Sequence, residues 1–238
     1  MKLFREADNL CRLTRFGMFN CFLVKDGNGC TLLDTNIGGS ARAILQASQK
    51  LGWPINRIAL THAHFDHVSS LDELASALPG VEVVIGARES RLLHGDLSLD
   101  RGEQGKKLFG FATTRTKATK TLADGEQVGC LRAISCPGHT PGHFAYLDVR
   151  DNSLIAGDAF VTQLGVVAAG VFQWTFPFPA WFSWNGMLSV RSATKLRALN
   201  PSRLAVGHGK TIVSPGEAMD RAIAVAYKQH PDALKGKV

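Results

Sequence analysis

The chain has 238 residues, 45% of them hydrophobic and 20% charged, with a formal net charge of +7. That balance is ordinary for a soluble globular protein with a core. It leaves no room for a membrane helix, because the most apolar stretch, residues 164–182, is broken by Gly165, Gly170, Gln173, Pro177 and Pro179.

Residues Met1 to Glu6 also lack the apolar core of a secretory signal. The five cysteines, Cys11, Cys21, Cys30, Cys130 and Cys136, are odd in number and follow no pairing pattern, which points to reduced thiols in a cytoplasmic compartment. Basic residues are dispersed. Their densest run, Arg101 to Lys120, is mixed with Gly and Thr and reads as a solvated face rather than a nucleic-acid footprint.

In chain order, Gly17 to Val24 reads as a strand. Lys25 to Gly29 is a hairpin turn by its Asp-Gly and Asn-Gly pairs, and Cys30 to Asp34 is the return strand. Ala41 to Leu51 is a helix, with Ser40 as N-cap, Ile44, Leu45 and Leu51 on one face, and Gly52 at its end. Arg57 to Leu60 is a short buried strand that runs on to His62. Ser70-Leu71-Asp72-Glu73 is a capping box opening a helix to about Leu78, stopped by Pro79-Gly80. Val81 to Ile85 is a strand, Ala87 to about His94 a short helix, and residues 95–110 are irregular.

The second half repeats this grammar. Gly142 to Val149 echoes Gly17 to Val24, and the strand Leu154 to Asp158 ends on an aspartate as the first hairpin ends on Asp34. A helix from about Trp184 to Leu199 is capped by Ser183. Arg203 to His208 mirrors Arg57 to His62. Ser214-Pro215-Gly216-Glu217 opens a last helix to about Gln229, with Pro at its first position. Strands and helices in this order suggest two packed sheets with helices outside, and no linker divides the chain. The halves differ in one respect. The second inserts residues 159–182 between its aspartate and its helix, and that insert holds much of the aromatic content. Phe172, Trp174, Phe176 and Trp181 are candidates to line a substrate pocket. Burial in the core and contact across a homodimer are the other readings of the insert.

The densest chemistry lies in Thr61-His62-Ala63-His64-Phe65-Asp66-His67. Three imidazoles and a carboxylate in six positions suit a borderline, zinc-like cation. In extended backbone His62 and His64 point to one side, and Asp66 and His67 come next as the chain turns toward a helix. Three further candidates are His139 on a Pro/Gly-flanked loop, Asp158 at the end of a buried strand, and His208 between Gly207 and Gly209. These suffice for two ions: His62, His64 and His139 for one, Asp66, His67 and His208 for the other, Asp158 between them. Two ions about 3.5–4 Å apart can share a hydroxide and polarise a substrate oxygen. His143 reads as an outer or structural residue, Asp34 as either an orienter of a ligand or a turn residue, and His94 and His230 as surface or loop residues.

With these residues the chain resembles the metallo-β-lactamase superfamily, whose H-x-H-x-D-H signature stands at His62 to His67. The later ligands match at His139, Asp158 and His208, and the resemblance spans nearly the whole chain. It implies one domain over residues 1–238: an α/β (α+β) four-layer αββα sandwich of two mixed sheets, built by duplication. It also implies a site for two divalent metal ions, usually zinc, with iron or manganese in some branches. True β-lactamases of the superfamily generally lack the bridging aspartate, which stands here as Asp158. Glyoxalase II thioesterases share the flavour of Gly138 to His143 but usually add a longer C-terminal region. In compactness and ligand set the chain is similar to the N-acyl homoserine lactonases and related small esterases. It departs from them in having no tyrosine in the insert, since its tyrosines are Tyr146 and Tyr227.

The expected function is therefore metal-dependent hydrolysis of a small carboxylic ester or lactone, through a metal-bridging hydroxide, with Asp66 or a metal-bound water passing a proton to the leaving alkoxide. A glyoxalase II-type thioesterase is the first alternative. Phosphodiesterase, nuclease and β-lactamase activity stand further off. The expected partner is a small-molecule substrate, not nucleic acid or membrane.

Overall fold

The computed structural model describes residues 1–234. The span 1–238 expected for the fold therefore includes residues 235–238, which lie outside the described residues.

The first half runs β1 (Lys2–Ala7), β2 (Leu10–Arg15), β3 (Phe19–Asp26), β4 (Gly29–Leu33), α1 (Ala41–Leu51), β5 (Ile55–Ala59), α2 (Phe65–Val68), α3 (Leu71–Ala77), β6 (Glu82–Gly86), α4 (Ala87–Leu93) and β7 (Lys120–Leu122). These strands form one mixed sheet in simple sequence order. The second half runs β8 (Gln127–Val128), β9 (Leu131–Ser135), β10 (Phe144–Asp148), β11 (Ser153–Ile155), β12 (Phe160–Val161), β13 (Val167–Ala168), α5 (Phe178–Trp181), α6 (Gly186–Ala198), β14 (Arg203–Ala205), β15 (Ile212–Val213) and α7 (Gly216–Gln229), and then a 3₁₀ turn, Pro231–Leu234. Its main sheet has the order β15-β14-β11-β10-β9-β8, and β12 and β13 pair as a separate ribbon.

Alternation along the strands sets the layers, because successive side chains leave opposite faces. Phe22, Val24, Leu33, Ala59 and Val84 of the first sheet meet Leu131, Ala133, Phe144, Tyr146, Ile155 and Ala205 of the second in one buried layer. Leu23, Leu32 and Ile58 point the other way, onto Ile44, Leu71, Leu74 and Leu92 of the first sheet's helices. Ala145, Leu147, Leu154 and Leu204 likewise meet Val190, Ala193, Leu196, Met219 and Ile223 of α6 and α7. The central strands are thus buried on both faces, and the result is the four-layer αββα sandwich.

The internal repeat is visible in the pairings. β3 and β4 form an antiparallel hairpin, α1 crosses over, and β5 returns parallel to β4. β10 and β11 form a hairpin, α6 crosses over, and β14 returns parallel to β11.

Several local details differ from the sequence expectation. β1 and β2 were not expected; β1 is an edge strand with no buried residue, so it carries no hydrophobic alternation to read. Ser40 and Ser70 stand at N-cap positions but make no cap bond. Instead Ser70 Oγ accepts from Ser40 N–H and donates to Ile37 O, tying the two helix starts together. The helix expected from Trp184 begins at Gly186. Its cap is Asn185, whose Oδ1 accepts from Leu188 N–H at 3.0 Å, so Ser183 is released for another task. α7 has Pro215 at its N-cap position rather than at its first helical position. Among the described residues no helix is long and apolar enough to cross a membrane.

The sheets approach closely where β6 crosses β10. A Cβ added at Gly86 would lie 2.5 Å from the Phe144 ring and 3.0 Å from Gly142 O. Gly86→Ala therefore overpacks this contact, and a loss of about 1–3 kcal/mol is expected. It is read as a lower urea midpoint with an unchanged slope.

Candidate metal centre

Each candidate side chain leaves the end of a central strand or the turn after it. His62 lies just past β5, His64 caps α2, and Asp66 and His67 lie on α2 itself. The second half contributes His139 from the β9–β10 loop, Asp158 after β11, and His208 after β14. The two units send these ends to the same edge of the sandwich, so residues as far apart in sequence as Asp66 and His208 meet. Asn20 N–H of the first unit donates to Gly207 O of the second, and within the second unit Gly207 N–H donates to Gly157 O.

Three groups gather there, each with ligand-type atoms within 4.8 Å of one another: His62, His64 and His139; His62, His67 and Asp158; and Asp66, His67 and His208. His64 Nδ1 lies 3.1 Å from His62 Nε2 and 3.0 Å from His139 Nε2. Asp158 faces every group. Its Oδ2 is 3.1 Å from His208 Nε2 and 3.5 Å from His139 Nε2, and its Oδ1 is 3.3 Å from His67 Nε2. Asp66 Oδ2 is 3.2 Å from His208 Nε2. All seven residues named from the sequence are brought together.

Four of the five imidazoles have the outward nitrogen engaged. His67 Nδ1 donates to Asp34 Oδ2 at 2.7 Å. His62 Nδ1 faces Thr61 Oγ1 at 3.0 Å, His139 Nδ1 faces Ser183 Oγ at 3.3 Å, and His208 Nδ1 faces Met18 O at 3.2 Å. Such outer partners orient a ring and leave Nε2 aimed inward with a free lone pair. Asp34 is the hub of this outer layer. It accepts from Thr61 N–H and Thr61 Oγ1, each at 2.8 Å, as well as from His67. Its backbone φ of +59° is a left-handed conformation that aspartate tolerates better than most residues. His143 lies one step out: its Nε2 accepts from Asp158 N–H at 3.1 Å, and its Nδ1 faces Cys136 Sγ at 3.1 Å. His230 is not a free surface residue, because its Nε2 donates to Gly170 O at 3.0 Å.

Protonation divides the cluster. Burial, reinforced by neighbouring imidazoles, holds His62 and His139 well below the usual imidazole range, and burial lowers His64 to about 4. These three are neutral at physiological pH, the state a ligand requires. Burial also opposes a charge on His67 and His208, but carboxylates outweigh it. Asp158, Asp34 and Asp66 hold His67 well above its ordinary value, and Asp158 and Asp66 raise His208 to about 10. Asp66 is lowered to about 2 against its burial penalty by His67 and His208.

The residues fit divalent cations. Asp158 Oδ1 is buried and makes no hydrogen bond; the positive group that faces it is the His67 ring at 3.3 Å, and a divalent cation would take over that role. A side chain at Gly207 would run into Asp158 Oδ1 and the His67 ring, so a glycine there keeps the space open. Imidazole and carboxylate together suit zinc, iron or manganese.

A cavity of about 270 Å³ opens onto His64, Asp66, His139, Asp158 and His208. The rest of its lining is Met18, Phe19, Phe65, Val161, Phe176, Phe178, Pro179 and Phe182. Of the four aromatic residues expected to line a pocket, Phe176 borders this cavity. Phe172, Trp174 and Trp181 stand outside its lining, and Trp174 is 90% exposed. They occupy the outer side of the insert, where Phe172 is clamped through its backbone N–H and C=O by the Gln229 side chain. Met18 comes from the turn before β3, Phe19 from the first position of β3 and Phe65 from the first position of α2, and spacing along the chain carries no signal for them. Tyr146 is in the core, donating to Leu60 O, and Tyr227 lies against Thr194, so no tyrosine reaches the cavity.

Comparison with known proteins agrees with this architecture. The metallo-beta-lactamase superfamily model matches residues 14–208, and the chain belongs to that family. The YobT protein of Bacillus subtilis (strain 168) is 46% identical over 211 residues, covering 88% of this chain and 91% of its own. A hydroxyacylglutathione hydrolase of Rhodopseudomonas palustris (strain BisA53) is 28% identical over 202 residues, 82% of this chain and 66% of that one. Among solved structures, TTHA1623 in a di-iron-bound form superposes with a TM-score of 0.65 at 25% identity, covering 86% of this chain and 94% of that one. Family membership and the His/Asp clusters together make the chain a metal-dependent hydrolase.

Two responses are expected of this centre. Asp34→Ala removes the acceptor of His67 and both Thr61 donors, so metal affinity should fall about 10- to 100-fold in a chelator competition. The clusters should also differ in pH response. A cation held by Asp66, His67 and His208 must displace protons that the carboxylates hold on those imidazoles, whereas one held by His62, His64 and His139 displaces none near neutrality. Acidification from about pH 8 to about pH 6 should therefore weaken a cation at Asp66, His67 and His208 far more than one at His62, His64 and His139, as read by chelator competition at each pH.

Proposed function

We propose that the chain holds two divalent ions and hydrolyses a small, uncharged carboxylic ester or lactone with an apolar acyl or ring portion. The observation that carries this reading is the cavity lining. Beyond the candidate ligands its lining among the described residues is apolar, and Lys107 and Ser183 lie in a separate recess behind His64, His139 and Phe182. A carboxylate placed against such walls would lose its hydration without gaining a partner. That disfavours a β-lactam or a glutathione conjugate, both of which carry carboxylates, and it suits a neutral acyl chain.

In this reading His62, His64 and His139 hold one ion, Asp66, His67 and His208 the other, and Asp158 serves both. Zinc is the first choice by donor type; iron is supported by the di-iron form of TTHA1623. Ions of this kind supply a nucleophile from water near neutral pH and polarise a carbonyl. The protein's part is to place the substrate. Phe176, Phe178 and Phe182 wall the cavity beside His64 and His139 and exclude water from the reacting carbonyl. Asp66 borders the same cavity, which supports a role for it in relaying a proton to the departing alkoxide. The five cysteines are all free and buried, which supports a reducing, cytoplasmic setting.

A thioesterase of glyoxalase II type is the second reading, favoured by the similarity to a hydroxyacylglutathione hydrolase. A substrate panel separates the two. Metal-depleted and metal-reloaded protein is assayed on lactones, neutral esters of increasing acyl length, glutathione thioesters, β-lactams and phosphodiesters. Metal-dependent turnover of neutral oxygen esters, rising with acyl length, is expected. Faster turnover of a glutathione thioester than of every neutral ester would overturn the choice. Phe178 is 46% exposed, so Phe178→Ala removes about half of the roughly 1.5–3 kcal/mol that a fully buried side chain contributes. It should lower kcat/KM for long-chain esters by about 3- to 10-fold while leaving metal content unchanged.

A further inference from the structure

We infer that Glu89 is the positioning residue that sets His62 and His64 against His139. The inference rests on the reading of these three as ligands of one ion.

His62 and His64 come from the first sheet and His139 from the second, so their mutual geometry depends on how two separate loops sit against each other. Glu89, on α4, lies between those loops and is completely buried. Its Oε2 accepts from Ala63 N–H at 2.9 Å, the peptide between the first two histidines. Its Oε1 accepts from Gly142 N–H at 2.9 Å and from Thr140 Oγ1–H, both in the loop that carries His139. One carboxylate thus spans both loops.

The choice of residue is informative. Among the described residues no cation pairs with this carboxylate: the neighbouring Arg88 turns away to Glu103 and Asp100. Burial, only partly offset by the three hydrogen bonds, pushes the Glu89 carboxyl up to about 7. A buried ionisable group with no ion-pair partner is an expensive way to hold a fold together. What only a carboxylate provides here is an acceptor on each of two oxygens, one for each backbone N–H. Glutamine is isosteric, but it places an N–H₂ group where one of those acceptors must be. Alanine loses both.

The loops also cannot drift apart independently. Gly142 packs against the start of α4 so closely that a Cβ there would lie 2.6 Å from Arg88 Cβ and 2.8 Å from Glu89 N. The Glu89 carboxylate is therefore held at short range to the second-sheet loop, and Ala63 is the peptide it pins from the first.

The test uses the full chain and zinc alone, with a chromophoric chelator as competitor. Four variants are compared with wild type: Glu89→Gln, Thr140→Val, His64→Ala and Leu92→Ala. Leu92 is a buried core residue on the same helix, with no polar side-chain group to bond either loop, and controls for general destabilisation. Glu89→Gln should lower zinc affinity of the tighter-binding equivalent by about 10- to 100-fold, the scale of lost outer support for a ligand. Thr140→Val, which keeps both backbone bonds, should change it by less than about threefold on the same scale. Leu92→Ala should lower the melting temperature and leave zinc affinity of the folded protein at the wild-type value. Wild-type affinity in Glu89→Gln with an impaired His64→Ala would overturn the role of Glu89. So would an affinity loss in Leu92→Ala matching that in Glu89→Gln. Unimpaired His64→Ala would sink the ligand assignment, and the inference with it.

Discussion

Five imidazoles and two carboxylates share a space largely closed to water, and such groups repel or pair wrongly unless each is held from outside. The rest of the structure answers to that constraint. Asp34 takes three donors at once and so fixes His67 directly and His62 through Thr61. Ser183 and the Met18 carbonyl do the same for His139 and His208. The outward nitrogens are committed to the protein, which leaves the inward ones free to meet a cation.

The duplicated architecture explains how so many ligand-type groups can be assembled with little distortion. Each half is a hairpin, a crossover helix and a parallel strand, and each ends its strands at the same edge. A strand end is rigid behind and free in front, so a side chain there has a fixed origin and an open target. The halves diverge between hairpin and crossover helix. The first passes from β4 through a short loop to α1. The second interposes the aromatic segment that walls the cavity, and α7 clamps that segment from behind through Gln229 and His230. Chemistry is common to the two halves, whereas the shape of the cavity belongs mainly to one.

The site was more legible than the fold around it. His62 to His67 stand in one short stretch, and His139, Asp158 and His208 are each marked by Gly or Pro neighbours, so spacing and residue type sufficed to name all seven. β1 went unread because an exposed edge strand has no apolar face; β2 went unread because its charged and polar residues, Arg12 and Thr14, are buried along with Leu10, Cys11 and Leu13. Ser183 looked like a helix cap because serine commonly is one. In the folded protein Asn185 takes that role, and Ser183 Oγ instead accepts from Gly170 N–H, donates to Pro179 O and meets His139. The cavity wall was read only in part for a related reason. Trp174 and Phe176 are two positions apart in one apolar loop, yet one is almost fully exposed and the other buried, and composition does not distinguish them.

The amino-acid sequence by itself determined the chemistry: which donors are present, which strands carry them, and that two similar units supply them. Those properties are local, written in residue type and short-range spacing. Tertiary structure alone decided which atoms face each other across the sheets. It placed Met18, Phe19 and Phe65 in the cavity beside Phe176 and Phe178, and it set the Glu89 carboxylate between Ala63 and Gly142. Such contacts join segments tens of residues apart. They depend on how two packed sheets come to rest against each other, which no single stretch of chain encodes.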